Sequence, residues 1–316
     1  MNTLKKLVFT SLVISFSAFS YAQTKNDSIP QKVLAYAAEK FPIARNFNIE
    51  FTQLTPYKFN SKLHNIDLPE NKVSNFSQVK LSSNINLLKT KKWSLSTTFN
   101  YRYTSLNTEN SIANYTLNND FHYHSETLSV GYYSKLFNKI MVYSANISVD
   151  GSEEHFERIR GLATATMVLK ANAKTKMAVG IVGIIDPSAQ IPVIPTFSYE
   201  HKFNDGWIVD VILPKKVLIK KNIMSNARIS LGTEMDNTSF YIYDSEKRYE
   251  FRQLEINSGF IYEQKLGHFI GTVKTGVRLT PNARIFEKTE SFKNYFFEAS
   301  SKPSFYFNVG LSYNVF

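Results

Sequence analysis

The sequence predicts an all-β chain closed into an antiparallel transmembrane β-barrel of about 14 strands, or 12 where the weak segments around Lys220–Ser225 and Ser239–Asp244 merge. Three observations predict it. The stretch 305–316 alternates, with Phe305, Phe307, Val309, Leu311, Tyr313 and Val315 on one face and Asn308, Gly310, Ser312 and Asn314 on the other. Past the first 22 residues no apolar run approaches the length of a spanning helix, so only a closed barrel can pair every backbone group within lipid. Short and long links between strands also alternate, as the turns and loops at the two ends of an outer-membrane barrel do.

Lys5 and Lys6 precede an uncharged apolar run from Leu7 to Phe19, and Ser20-Tyr21-Ala22 supplies small residues at a cleavage site. Residues 1–22 are therefore expected to be a secretory signal peptide removed before Gln23. Residues 23–45 form a polar periplasmic segment with one helix signal between Pro30 and Phe41, ended by Pro42. The barrel is expected to occupy 46–316.

Phe47, Ile49 and Phe51 start the first strand, and a polar loop follows from Thr55 to Asn75. Val79, Leu81, Ile85 and Leu87 alternate with polar residues up to the turn Lys89–Lys92, and Trp93, Leu95, Phe99, Tyr101 and Tyr103 line the return strand. Further strands are expected at Phe121–Lys135, Ile140–Val149, Leu162–Lys170, Lys176–Ile185, Val193–Phe203, Trp207–Lys220, Ala227–Glu234, Ser239–Asp244, Tyr249–Glu263, His268–Thr280 and Pro303–Phe316. Short links fall at Leu136–Lys139, Ala171–Thr175, Asn204–Gly206, Met235–Thr238 and Gln264–Gly267. Long ones fall at Leu106–Asp120, Asp150–Gly161, Asp186–Pro192 and Pro281–Lys302. Leu162–Leu169 and Met177–Ile185 are apolar on both faces, which favours a lumen filled by side chains over a greasy path. Pro187, Pro192 and Pro195 sit at a loop and a strand start, where a missing donor is tolerated.

The signal peptide, the aromatic-rich hairpins, the segment Trp-Ile-Val-Asp-Val-Ile-Leu-Pro at 207–214 and the aromatic terminus resemble the uncharacterised outer-membrane β-barrel proteins of the Bacteroidota. The resemblance covers nearly all of the chain after the signal. It implies a Gram-negative outer-membrane location, the barrel fold and recognition of the last strand (Phe307, Val309, Leu311, Tyr313 and Phe316) by the barrel-assembly machinery; it implies no activity. In such barrels apolar residues recur at every second position back from the terminal aromatic. Here Phe316 is present, while Asn314, Ser312, Gly310 and Asn308 hold that register and the apolar set begins at Val315.

Composition excludes several functions. Without the two signal lysines, 35 basic residues face 26 acidic ones, a net of +9, but no run of five or six like charges marks a nucleic-acid tail. No cysteine is present, so there is no disulfide and no thiolate metal site. No phosphate loop, dinucleotide fingerprint, His-Glu-x-x-His or EF-hand spacing occurs, and no cofactor or metal is expected. His122 and His124 share a strand face without a third ligand, which suits interface residues better than a metal site. His124 and Ser125 point to opposite faces, which disfavours a lipid-hydrolysing pair. The acidic stretch Asp150–Glu154 reads as a solvated loop rather than a calcium site.

What remains is a lumen lined by Lys80, Arg102, Asp210, Arg228, Glu255, Lys274 and Arg278. Such charges either pair inside a filled barrel or line a water path with a modest anion preference. The expected function is a passive channel or transport barrel for small solutes. The alternatives are a filled structural or surface-interaction barrel, whose loops Thr55–Asn75 and Pro281–Lys302 meet partners or lipopolysaccharide, and, third, a lipid-modifying enzyme. Arg284, Lys288 and Lys293 in the outer loops suit anionic headgroups.

Overall fold

The computed structural model describes residues 45–110, 120–152, 155–244 and 247–314. The expected signal peptide, the helix at Pro30–Phe41 and the terminal Phe316 lie outside them. Sixteen strands follow in chain order: β1 Phe47–Leu54, β2 Tyr57–Leu63, β3 Ile66–Lys89, β4 Trp93–Thr108, β5 Asp120–Leu136, β6 Lys139–Gly151, β7 Phe156–Ala171, β8 Thr175–Ile185, β9 Val193–Lys202, β10 Trp207–Leu213, β11 Lys216–Asn222, β12 Ala227–Asp244, β13 Lys247–Leu266, β14 Phe269–Glu287, β15 Tyr295–Ser301 and β16 Ser304–Tyr313.

All pair antiparallel. β1 meets β16 on one side, Phe47 opposite Tyr313, and β3 on the other, Phe47 opposite Ser83. That double pairing closes a ring of fourteen strands, β1-β3-β4 through β14 and β16. β2 and β15 pair with each other and continue β1 and β16 beyond the ring's mouth, against β3 and β14. Closure removes the free edges that lipid would leave unpaired. Both described ends of the chain lie at one end, the base, where Asn84 N donates to Asn46 O and Asn314 N to His268 O.

The alternation of Phe307, Val309 and Leu311 puts them on the outer face, where they are exposed, with Ser304, Tyr306, Asn308 and Ser312 buried inside. The same pattern round the ring exposes Ile49, Leu128, Ile147, Ile181, Ile219 and Leu231, a greasy belt that only lipid would cover. Aromatic residues edge it. At the base Trp93 contacts Tyr132, which stacks on Tyr143, and Tyr313 contacts Phe47 and Phe269. Toward the mouth Tyr101 and Tyr103 flank His122, whose Nδ1 lies 2.7 Å from the Tyr101 hydroxyl, and His124 meets Phe156 edge-on. Trp93 and Tyr103 are ten positions apart on β4, about 25 Å at a rise of ~3.3 Å and a tilt of ~40°. That is the height of a lipid-facing band.

The ring holds the fourteen strands expected, but two boundaries differ and offset each other. Trp207–Lys220 is a hairpin, broken by a two-residue turn at Pro214–Lys215 with a cis Leu213–Pro214 bond. Ala227–Asp244 is one strand, so Met235–Thr238 is no turn. Three expected loops are largely strand. Thr55–Asn75 holds β2 and the start of β3, joined by a tight His64–Asn65 turn with both φ positive. Pro281–Lys302 holds the end of β14 and all of β15, and Asp150–Gly161 shortens because β7 starts at Phe156. Link lengths therefore do not alternate throughout: at the mouth, His64–Asn65 and Pro214–Lys215 are as tight as any basal turn.

β10 and β11 have seven residues each, fewer than the roughly 9–11 that span a bilayer. Their neighbours run on past them. β9 pairs β10 only as far as Phe197, opposite Leu213, and β12 pairs β11 only up to Glu234, opposite Lys216. Above those points the only backbone bond on that side among the described residues is Met235 N donating to Lys215 O at 2.7 Å. Pro195, which has no N–H to leave unpaired, sits on the free edge of β9.

The free half of β12 curls inward across the mouth. β12 and β5 are seven places apart in either direction round the ring, yet Phe240 stacks on Phe121 with centroids 4.0 Å apart. Three glycines facing one another in register, Gly232, Gly259 and Gly276 of β12, β13 and β14, permit the crease. A Cβ on any of them would stand 2.1 Å from a neighbouring backbone oxygen.

Candidate functional site: a cation-rich cavity under a folded hairpin

The inner face of the barrel carries two clusters of charge. The upper one sits at the mouth. Arg160 of β7 pairs with Asp150 at 2.6 Å, Asp186 at 2.8 Å and Glu250 at 3.0 Å; Arg158 reaches Asp186 and Glu250, and Arg252 reaches Glu250 at 2.6 Å. Three guanidinium groups thus share three buried carboxylates, which satisfies charges that would otherwise be costly. The curled hairpin belongs to this cluster. Tyr241 donates to Asp150 Oδ1 at 2.6 Å, Tyr243 lies 2.5 Å from Ser152 Oγ, and Arg248 pairs with Glu157 at 3.3 Å, as does Lys288 beyond β14 at 2.6 Å. Asp150, expected in a solvated loop, is instead buried and paired at the end of β6. Beside this cluster an apolar cluster of Leu54, Phe59, Val73, Phe76 and Tyr306 fills the interior next to the closing seam. The mouth is therefore occupied from both sides.

Beneath lies a cavity of about 400 Å³, walled by β1, β3, β10–β14 and β16. The stretches of β7 and β8 that are apolar on both faces, Leu162–Leu169 and Met177–Ile185, contribute nothing to it. Each strand delivers its charges by period two. Lys274 and Arg278 come from β14, Arg228 and Glu234 from β12, Lys80 from β3. Glu263 is shared by Arg45 at 2.5 Å and Arg228 at 2.6 Å; Asp210 by Lys216 at 2.7 Å and Lys220 at 2.5 Å. Lys80 pairs with Asp236 and Lys274 with Glu234, while Arg278 pairs with the fully buried Glu255. Because Glu263 and Asp210 each serve two cations, the lining keeps an excess of positive charge. Eight basic residues face the cavity, against Glu50, Glu234, Asp236 and Glu263, with Asp210 and Glu255 standing behind. Lys215, on the β10–β11 turn, has no ion-pair partner among the described residues.

The seven lumen residues expected from the sequence all point inward, but not to one place. Lys80, Arg228, Lys274 and Arg278 line the cavity; Asp210 and Glu255 hold lining cations in place. Arg102 sits above, under the hairpin, with Nη2 donating to Asn237 O at 3.4 Å, while its Nε and Nη1 have no hydrogen-bond partner among the described residues. Sequence reasoning missed Arg45, Lys215, Lys216, Lys220, Glu234, Asp236 and Glu263. The strand registers that carry Asp210 and Glu255 would have found Lys216 and Lys220 and Glu263.

His122 and His124 lie on the outer aromatic edge, and no group of three His, Cys, Asp or Glu suited to a metal occurs among the described residues. Ser125 is buried on the inner face, opposite His124.

Fold and site together define a bilayer-spanning β-barrel with an occupied mouth and a basic interior. The chain belongs to a family described as a domain of unknown function, DUF6268, whose model matches residues 19–314. No curated protein gives a match. Among solved structures the chain is similar to an outer membrane channel from Pseudomonas putida F1, with 9% identity, 86% of this chain and 96% of that one covered and a TM-score of 0.37. A FadL homologue of Pseudomonas aeruginosa gives 8% identity, 89% and 92% coverage and a TM-score of 0.31. The outer membrane protease OmpT of Escherichia coli gives 9%, 87% and 99%, and 0.26.

Proposed function

We propose that this chain is an outer-membrane transport barrel for small anionic solutes, exported by a cleaved signal peptide and held closed by the curled β12–β13 hairpin. The basal turns face the periplasm in this reading, and the longer β2–β3 and β14–β15 extensions face outward, where Lys58, Lys302 and the loop lysines suit lipopolysaccharide phosphates. Lys288 is bound to Glu157, which leaves Lys293 as the freer of the two loop lysines named from the sequence.

One observation carries the reading: a cavity at membrane depth whose lining keeps more cations than carboxylates. A barrel selected only for rigidity has no use for that excess, because each unmatched buried charge costs stability. The test is the reversal potential of the full chain in a planar bilayer across a KCl gradient. Preference for chloride, reduced when Lys274→Gln and Arg278→Gln are combined, is expected; preference for potassium would contradict it.

The filled, structural barrel keeps one specific support, the balanced arginine and carboxylate network at the mouth. It predicts no conductance even after the hairpin is released.

A further inference from the structure

We infer that the low wall over β10 and β11 is a lateral entry from the bilayer, and that the ligand reaching the cavity through it is an anionic amphiphile with one acyl-like tail. This deepens the transport reading above and rests on it.

The height of the wall carries the inference. On β4 the outer apolar band runs from Trp93 to Tyr103, ten positions. On β10 Trp207 stands at the base beside the Phe203 turn, and the wall ends six positions later at Leu213. At about 3.3 Å per residue and a tilt of ~40° the rim lies roughly 15 Å above Trp207, against about 25 Å for the band. The barrel wall therefore stops inside the hydrocarbon. The strands flanking the gap, β9 above Phe197 and β12 above Met235, are unpaired toward it among the described residues.

The rim is amphipathic in the sense such a ligand needs. Leu213 and Val217 are exposed on the lipid side. Ile212 and Met235 form the inner lip and line the cavity. Lys215, exposed between them, lines the cavity too and has no ion-pair partner among the described residues. A lone ammonium at that depth is costly unless something anionic meets it, and intramembrane charges of this kind mark ligand paths. The cavity volume of about 400 Å³ falls in the range of small-molecule sites. An acidic headgroup held at Lys215, its tail lying over Leu213 toward the lipid, satisfies both surfaces.

The full chain, in nanodiscs of neutral lipid, would be titrated with tail-labelled dodecanoate, with acetate and dodecanol as competitors. Saturable dodecanoate binding is expected, weakened at least tenfold by Lys215→Glu, retained by Lys215→Arg and not displaced by either competitor. Lys215 is exposed in a turn, and Lys215→Arg controls for misfolding. A second variant, Leu213→Cys carrying a nitroxide in a chain with no other cysteine, should quench the bound tail label. Acetate competing as well as dodecanoate, or a tail label beyond reach of residue 213, overturns the lateral route while leaving an anion-transport barrel intact. Dodecanol competing equally removes the role of Lys215. No binding of either anion by a folded protein that also fails to conduct brings down both readings.

Discussion

Glu263 illustrates how single residues hold this interior. It is nearly buried and accepts from both Arg45 and Arg228, so Glu263→Gln removes the one negative charge that the two guanidinium groups share. A loss of about 3–5 kcal/mol is expected in reversible urea unfolding from vesicles. Glu70 behaves differently. It stands on the β3 extension outside the apolar band, where Lys302 and Lys58 hold its carboxyl down to about 2. A depressed folded value means that its contribution is complete above about 4.5 and fades as the pH falls through about 2. A side-chain carboxyl titration by NMR should show the midpoint near 2, and Lys302→Ala should raise it. Asp210 shows what could be read at this scale and what could not. Its inward position follows from simple alternation, but its partners do not. In one continuous strand Lys216 would lie about 20 Å away, whereas the hairpin at Pro214 brings it to 2.7 Å.

Among the elements, β12 departs most from its sequence pattern. Met235-Asp-Asn-Thr238 looks like a turn because polar residues crowd together. In the structure they continue the strand, and their polarity serves other partners: Asp236 binds Lys80, the Asn237 carbonyl meets Arg102, and Thr238 donates to Glu255. The same cause hid β2 and the first third of β3. Strand beyond the apolar band is wet on its outer face, so polar sequence there resembles loop. The apolar closing strand β16 and the Lys89–Lys92 turn were legible because lipid and water sort their residues sharply. The glycine row was not, since its meaning lies in a register across three strands. Gly259→Val would drive a side chain into the Thr275 carbonyl and Gly276. Its folded yield in vesicles should fall severalfold, with Gly271→Ala, which meets only one atom at 4.0 Å, as the tolerant control.

For the whole molecule, the barrel is built in two storeys. The lower is a full ring of fourteen strands around the basic cavity; the upper lacks β10 and β11, and β12 folds in to meet β5, β6 and β7. The fold class was evident from period-two alternation. The unequal storeys were not, because they depend on where one hairpin ends. In the transport reading proposed above the hairpin is the gate, held by Phe240 on Phe121 and by Tyr241 on Asp150. The direct test is single-channel recording of the full chain beside a variant combining Phe240→Ala and Tyr241→Phe, both shown to be folded and inserted. Brief, rare, chloride-preferring openings are expected of the natural chain, and at least a tenfold higher open probability of the variant. Silence in both would mean that the barrel is filled and that no transport path exists beneath the hairpin.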